Sequence, residues 1–209
     1  MKKINTFWNW FQDNNQTIKK LIHETPQNQQ YIIFWINKNL SYYCREIDFI
    51  IVYPKKENSK AEFIVTANGN STYFQQVTAL IDNAPRLRTW NFNTFLKPTE
   101  QIIQIIEELE KPYIIRENTL KAKSLNFISL DHDQETDKLQ IHIYLKNYNI
   151  LCNTKTLDQA LSIIIIELLG EKTASKNISF IQLAQLADLD QKLIKLYELQ
   201  YYLDSYKID

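Results

Sequence analysis

Between Leu157 and Leu169 nine of thirteen residues are apolar, and four of them, Ile163 to Ile166, are consecutive. The run is shorter than the roughly 20 residues that cross a bilayer, and Asp158, Gln159, Ser162 and Glu167 interrupt it. As a helix it is apolar on nearly every side, so it cannot lie on a surface. Each Ile or Leu left in water forgoes roughly 1.5 to 3 kcal/mol of burial. Consecutive β-branched residues also weaken intrinsic helicity. The segment therefore predicts a helix fixed by tertiary packing, sandwiched between a sheet and either the C-terminal helix or a second subunit. Any fold for this chain must be built around it.

Hydrophobic periodicity supplies the rest of the architecture. Phe7, Trp8, Phe11, Ile18, Leu21 and Ile22 recur at helical spacing, Pro26 interrupts, and Tyr31, Ile32, Trp35, Ile36 and Leu40 begin a second helical run. A helical hairpin is expected. From residue 46 the period falls to two, with Ile47, Phe49, Ile51 and Tyr53 on one face of a strand that Pro54 stops. A second strand reads at Glu62 to Ala67. Ser71 and Thr72 are positioned to cap a helix carrying Phe74, Val77, Leu80 and Ile81, and a third strand follows at 90 to 96.

The same order then recurs. A helix is expected at about 99 to 110, strands at Ala122 to Leu130 and Leu139 to Leu145, the apolar helix at Leu157 to Leu169 with Gly170 as its C-cap, and a strand at about 178 to 184. Leu189, Leu193, Leu196, Tyr197 and Leu203 indicate a closing helix. Residues 27 to 98 and 99 to 185 thus both read helix, strand, strand, helix, strand. The fold class is α+β: an N-terminal helical hairpin, two similar halves and a C-terminal helix. The join Lys97-Pro98-Thr99 is too short for a flexible linker, so residues 1–209 are expected to form one compact domain built from 1–98 and 99–209.

Composition excludes several classes of function. Twenty-four cationic and 24 acidic residues give a net charge of zero, so no global field draws the chain to nucleic acid or to a membrane surface. Cys44 and Cys152 are too far apart in sequence for a metal-ligand pair and too few for a disulfide framework. A cytoplasmic setting is the expectation, and no export signal is visible after Met1-Lys2-Lys3. Nucleophilic catalysis requires a base beside the nucleophile. None of His23, His132 and His142 stands near a Ser or Cys motif. No catalytic residue, metal or cofactor is assigned: the acidic run Asp131 to Asp137 lacks the glycine and the final glutamate of a calcium loop, and it reads instead as a charged hairpin tip.

The candidate binding residues form three groups. Asn68-Gly69-Asn70 joins a strand to a helix, where backbone amides can meet an anion. Arg86 and Arg88 flank Leu87 just ahead of Trp90, a cationic and aromatic corner suited either to an ion pair or to a carboxylate. Glu171, expected at the C-terminal end of the apolar helix, needs a cationic partner there or access to water. Trp10 adds an aromatic that cannot share one helix face with Trp8.

Phe7-Trp8-Asn9-Trp10-Phe11, Ile64 to Asn70, Ala84-Pro85 with Trp90, and Leu168-Leu169-Gly170-Glu171 together resemble an uncharacterised family of bacterial proteins with an N-terminal Phe-Trp-x-Trp-Phe segment. The resemblance implies a bacterial cytosolic setting and no particular chemistry. Two functions are then expected. The first is a non-enzymatic binding or regulatory protein, immunity-like or similar, that meets a protein partner through anchors such as Trp10, Arg86 and Trp90, with a homodimer also open through the aromatic face of the C-terminal helix. The alternative is a small-ligand protein or enzyme with Asn68, Asn70, Arg86, Arg88 and Glu171 lining a pocket between the halves.

Overall fold

A computed structural model describes residues 2–54, 56, 59–100, 102–107, 112–115, 118–133, 136–145, 154–185 and 193–206. The chain separates into two compact units, Met1–Leu96 and Lys97–Asp209. The division falls between Leu96 and Lys97. Both units are mixed α and β, as anticipated.

The first unit opens with helices α1 (Lys2–Lys19) and α2 (Pro26–Tyr43) packed on each other. Pro26 ends nothing: it occupies the first turn of α2, where its missing N–H costs no bond, and the Thr25 side chain accepts from the Asn28 N–H at 3.4 Å. Strands β1 (Asp48–Val52), β2 (Ala61–Thr66) and β3 (Trp90–Thr94) form a sheet in that order. β1 and β2 are an antiparallel hairpin, and α3 (Phe74–Asp82) returns the chain so that β3 runs parallel to β2. β1 is an edge strand, and its Phe49 N–H donates to the Asp48 carboxylate at 2.8 Å.

One face of this sheet is aromatic. Phe63, Trp90 and Phe92 meet Phe7, Trp8 and Phe11 of α1, with Phe11 to Phe63 ring centroids at 5.0 Å and Trp8 to Phe92 at 4.7 Å. Edge-to-face pairs of this kind contribute about 0.5 to 1.5 kcal/mol each beyond their burial. Trp8 also donates its indole N–H to the Leu80 carbonyl of α3 at 2.8 Å. Tyr53 donates its hydroxyl to the Ile18 carbonyl at the end of α1 at 2.9 Å, and burial pushes its pKa up to about 12.

The second unit repeats the connectivity. Strands β6 (Asn126–Asp133) and β7 (Lys138–Leu145) are an antiparallel hairpin, and after α5 (Thr154–Leu169) and α6 (Glu171–Asn177) strand β8 (Ile178–Gln185) lies parallel to β7. Each unit thus holds a hairpin, a helical crossover and a strand parallel to the hairpin's second arm. The second adds a short helix α4 (Ile102–Ile106), a small ladder β4 (Tyr113–Ile115) with β5 (Asn118–Leu120), a two-residue strand β9 (Ile194–Lys195) beside β6, and the closing helix α7 (Leu199–Tyr206). The apolar helix α5 packs against β8 of the sheet and against α7, β4 and α6. Leu157, Leu161, Ile164, Ile165 and Leu169 are fully enclosed, whereas Ile163 is 48% exposed.

Four local expectations change. Residues 122–124 form a 3-10 turn, so β6 starts at Asn126 and continues through Asp133 into the segment expected to be a hairpin tip. β3 stops at Thr94 because Phe95 takes a φ of 59°, which an extended strand cannot accommodate. The closing helix begins only at Leu199: Leu196 lies in a 3-10 turn, and Leu189 is outside the described residues. Gly170, with a φ of 77°, does not merely end α5 but precedes α6, whose first residue is Glu171. The carboxylate therefore stands at a helix N-terminus, where the macrodipole favours it, rather than at the C-terminus first expected.

Candidate functional site

Helix α2 is the least covered of the long elements. Its 18 residues contain one charged side chain, Lys38, and only Ile32, Ile36 and Leu40 are buried. Those three, spaced by four, make a narrow stripe against the rest of the unit. Around the remaining surface Tyr31 is 64% exposed, Phe34 55% and Tyr42 60%, with Ile33 also open to solvent. The rings are organised rather than scattered: Trp35 lies edge-on to Tyr31 at 6.1 Å and to Phe34 at 5.6 Å. Lys38 folds back over them, its ammonium 4.7 Å from the Trp35 ring and 5.7 Å from the Phe34 ring. The Trp35 indole N–H is itself enclosed and has no hydrogen-bond partner among the described residues.

At its C-terminal half α2 borders an open groove of about 640 Å³. Phe34, Asn37, Lys38 and Ser41 line it from the helix. The chain leaving the helix supplies Arg45, Glu46 and Asp48, and Asn68 closes it from the end of β2. The groove is therefore of mixed charge, with an aromatic ring at one end. The Ser41 hydroxyl donates to the Lys38 carbonyl at 2.8 Å. The Tyr43 hydroxyl donates to the Gln76 carbonyl at 2.9 Å, and burial followed by the neighbouring Cys44 raises its pKa. The chemistry available here is recognition of a surface that presents apolar groups and both signs of charge. Among the described residues no three His, Cys, Asp or Glu side chains converge as a metal site, and no helix is long and apolar enough to cross a membrane.

The residues singled out from sequence fall in different places. Asn68 reaches the groove, held at a φ of 51° with its N–H donating to Thr66 Oγ1 at 2.9 Å. Gly69 follows at a φ of 81°, and Asn70 caps the next turn by accepting from the Thr72 N–H at 3.1 Å, the role expected of Ser71 and Thr72. Arg86 and Arg88 are exposed and pair with no carboxylate among the described residues. Trp90 is a core residue, 5.2 Å from Phe11, so it is no contact anchor. Trp10 is half-buried and packs against the same core. Glu171 belongs to the second unit and is fully buried there. The side chains of residues 131–135 and Cys152 lie outside the described residues.

Sequence reading missed the α2 face because it grouped Tyr31 and Trp35 in one helical run with Ile32, Ile36 and Leu40. The signal that separates them was present: the three aliphatic residues recur every four, and the aromatic positions lie on other sides of the helix. The second unit carries its own concavity of about 650 Å³, where Ile102 and Ile106 of α4 face Tyr197 and Tyr201. Of the C-terminal tyrosines, Tyr202 docks on its own sheet, 5.4 Å from Phe127. In comparisons with known proteins, no family model, curated protein or solved structure matches this chain.

Proposed function

We propose that this chain is a non-enzymatic interaction protein of the bacterial cytosol, a regulatory or immunity-like partner, and that helix α2 with the groove beside it is the surface it presents. One observation carries the reading: a helix with a single charge in 18 residues leaves Tyr31, Ile33, Phe34 and Tyr42 in water. Protein interfaces are enriched in aromatic side chains and depleted of charge at their centres, and contiguous exposed apolar area on a soluble protein marks a contact surface more often than chance exposure does. The mixed-charge groove at the rim supplies polar selectivity.

The test is site-specific photo-crosslinking. A benzophenone amino acid at Phe34 is expected to yield a discrete protein adduct in the cells that make the chain, while the same probe at the exposed Gln75 of α3 yields none. Absence of any adduct from position 34 overturns the proposal.

A further inference from the structure

The zero net charge of the chain is the sum of two opposite halves. Met1–Leu96 carries 11 lysines and arginines against seven aspartates and glutamates, and Lys97–Asp209 carries 13 against 17. So small an excess of cations acts through where they stand. Three separate segments bring six of them to one end of the first unit. β2 and β3 begin level with each other, Ala61 opposite Trp90, and the Ala61 N–H donates to the Thr89 carbonyl at 3.0 Å. Lys60 and Arg88 therefore flank one rung, with Arg86 two residues earlier in the same loop. Val52 pairs with Glu62, so the tip of the β1–β2 hairpin, with Lys56, stands beside that loop. The bond from the Tyr53 hydroxyl to the Ile18 carbonyl brings the end of α1, with Lys19 and Lys20, to the same place.

Lys19 is half-buried and the other five are exposed, and among the described residues none of the six forms an ion pair. Three described carboxylates share this end: Glu24 accepts from the Asn28 amide at 3.0 Å, Glu62 accepts from the Asn93 amide at 3.1 Å, and Asp82 closes α3. The cations outnumber them. Lys19 and Lys20 also meet the carbonyl end of α1, which accounts for them without a partner. Lys56, Lys60, Arg86 and Arg88 lie outside any helix. We infer that this end of the first unit docks an acidic segment of a partner protein, one with an apolar side chain among its carboxylates. Arginine forks pair with carboxylates through two parallel bonds. Ile22, 50% exposed and two residues beyond Lys20, supplies the apolar contact. A nucleic-acid strand fits less well, because its binding sites add rings on which bases stack, and none of the three segments exposes a described Phe, Tyr or Trp ring. The surface is separate from the groove beside α2: Asp48 and Asn68, which line that groove, mark the other end of the same strands.

Fluorescence anisotropy of a dye-labelled peptide of glutamates around one leucine, titrated with the full chain, tests this. The peptide should bind at low ionic strength and weaken as salt rises. Arg86→Glu with Arg88→Glu should weaken binding at least about tenfold. Lys2→Glu with Lys3→Glu makes the same change of net charge at the opposite end of α1, and should alter binding by less than about twofold. Should the arginine variant misfold, Lys56→Glu with Lys60→Glu takes its place. A labelled single-stranded oligonucleotide of the same charge should bind more weakly than the peptide. No peptide binding at low ionic strength, equal losses in the two double variants, or tighter binding of the oligonucleotide overturns the inference. A crosslink from position 34 without peptide binding overturns this surface and leaves the α2 face standing, and peptide binding without that crosslink does the reverse.

Discussion

Gly170 and Pro98 are in contact so close that a β-carbon at residue 170 would fall 2.7 Å from the Pro98 Cδ. The same glycine has a φ of 77°, a region other residues enter only under strain. Two separate penalties therefore oppose any side chain there. Gly170→Ala should destabilise the protein by about 2 to 4 kcal/mol, from backbone strain and overpacking together. Adding Pro98→Ala should recover part of that loss, because it relieves the contact and leaves the dihedral. Urea unfolding of both variants measures the split, and full recovery would show that the dihedral costs nothing.

The four isoleucines of α5 separate burial from composition. Ile164 and Ile165 are enclosed, and Ile163 is half-open. Truncation to Ala should cost about 2 to 4 kcal/mol at either enclosed position, and at Ile163 markedly less, about 1 kcal/mol or below. Equal losses at all three in equilibrium unfolding would mean that Ile163 is also covered.

Tyr53 sets an alkaline limit. Its pKa is about 12 in the folded chain against an ordinary value of 10.0, so the folded state holds the phenolic proton more tightly than the unfolded chain does. The contribution is complete below pH 10 and is lost as pH rises through about 12. Tyr53→Phe removes this dependence along with the bond to the Ile18 carbonyl. The stability difference between wild type and variant should therefore shrink across that window. A difference independent of pH in denaturant titrations at a series of alkaline pH values would contradict the assignment.

Two buried tryptophans differ in one respect. Trp8 donates its indole N–H to the Leu80 carbonyl, and among the described residues Trp90 finds no acceptor. Replacement by Phe removes the same volume at both, so the difference isolates the polar term. Trp8→Phe should be the more costly by about 1 to 2 kcal/mol, since it also leaves a buried carbonyl short of a donor. Thermal unfolding that ranks Trp90→Phe as the worse variant would refute this.

Where side-chain period changed sharply, the sequence was legible. Phe49 and Ile51 alternate with Asp48, Ile50 and Val52, and the strand is there with the alternating faces expected. Helix α6 was not legible because Glu171 to Asn177 offers only Ala174 as an apolar residue, so no periodicity marks it. β9 spans two residues, and the spacing of Leu189, Leu193 and Leu196 imitates a helical stripe. At the candidate site Asn68 was found through its turn chemistry. Tyr31 and Phe34 were not, because an exposed ring and a core ring look alike in one sequence and only partners in space distinguish them.

The hydrogen bond from the Phe49 N–H to Asp48 bears on how the chain behaves when crowded. The rim of a sheet is a template along which a stray extended segment can grow, one molecule continuing the ladder of the last. On β1 a donor that such a segment would seek is already occupied by the neighbouring carboxylate. Phe49→Pro would abolish that donor altogether, but Asp48 blocks it while keeping Phe49's stacked ring over Phe63. One rung of the ladder that fibre growth would need is thereby withdrawn at this rim.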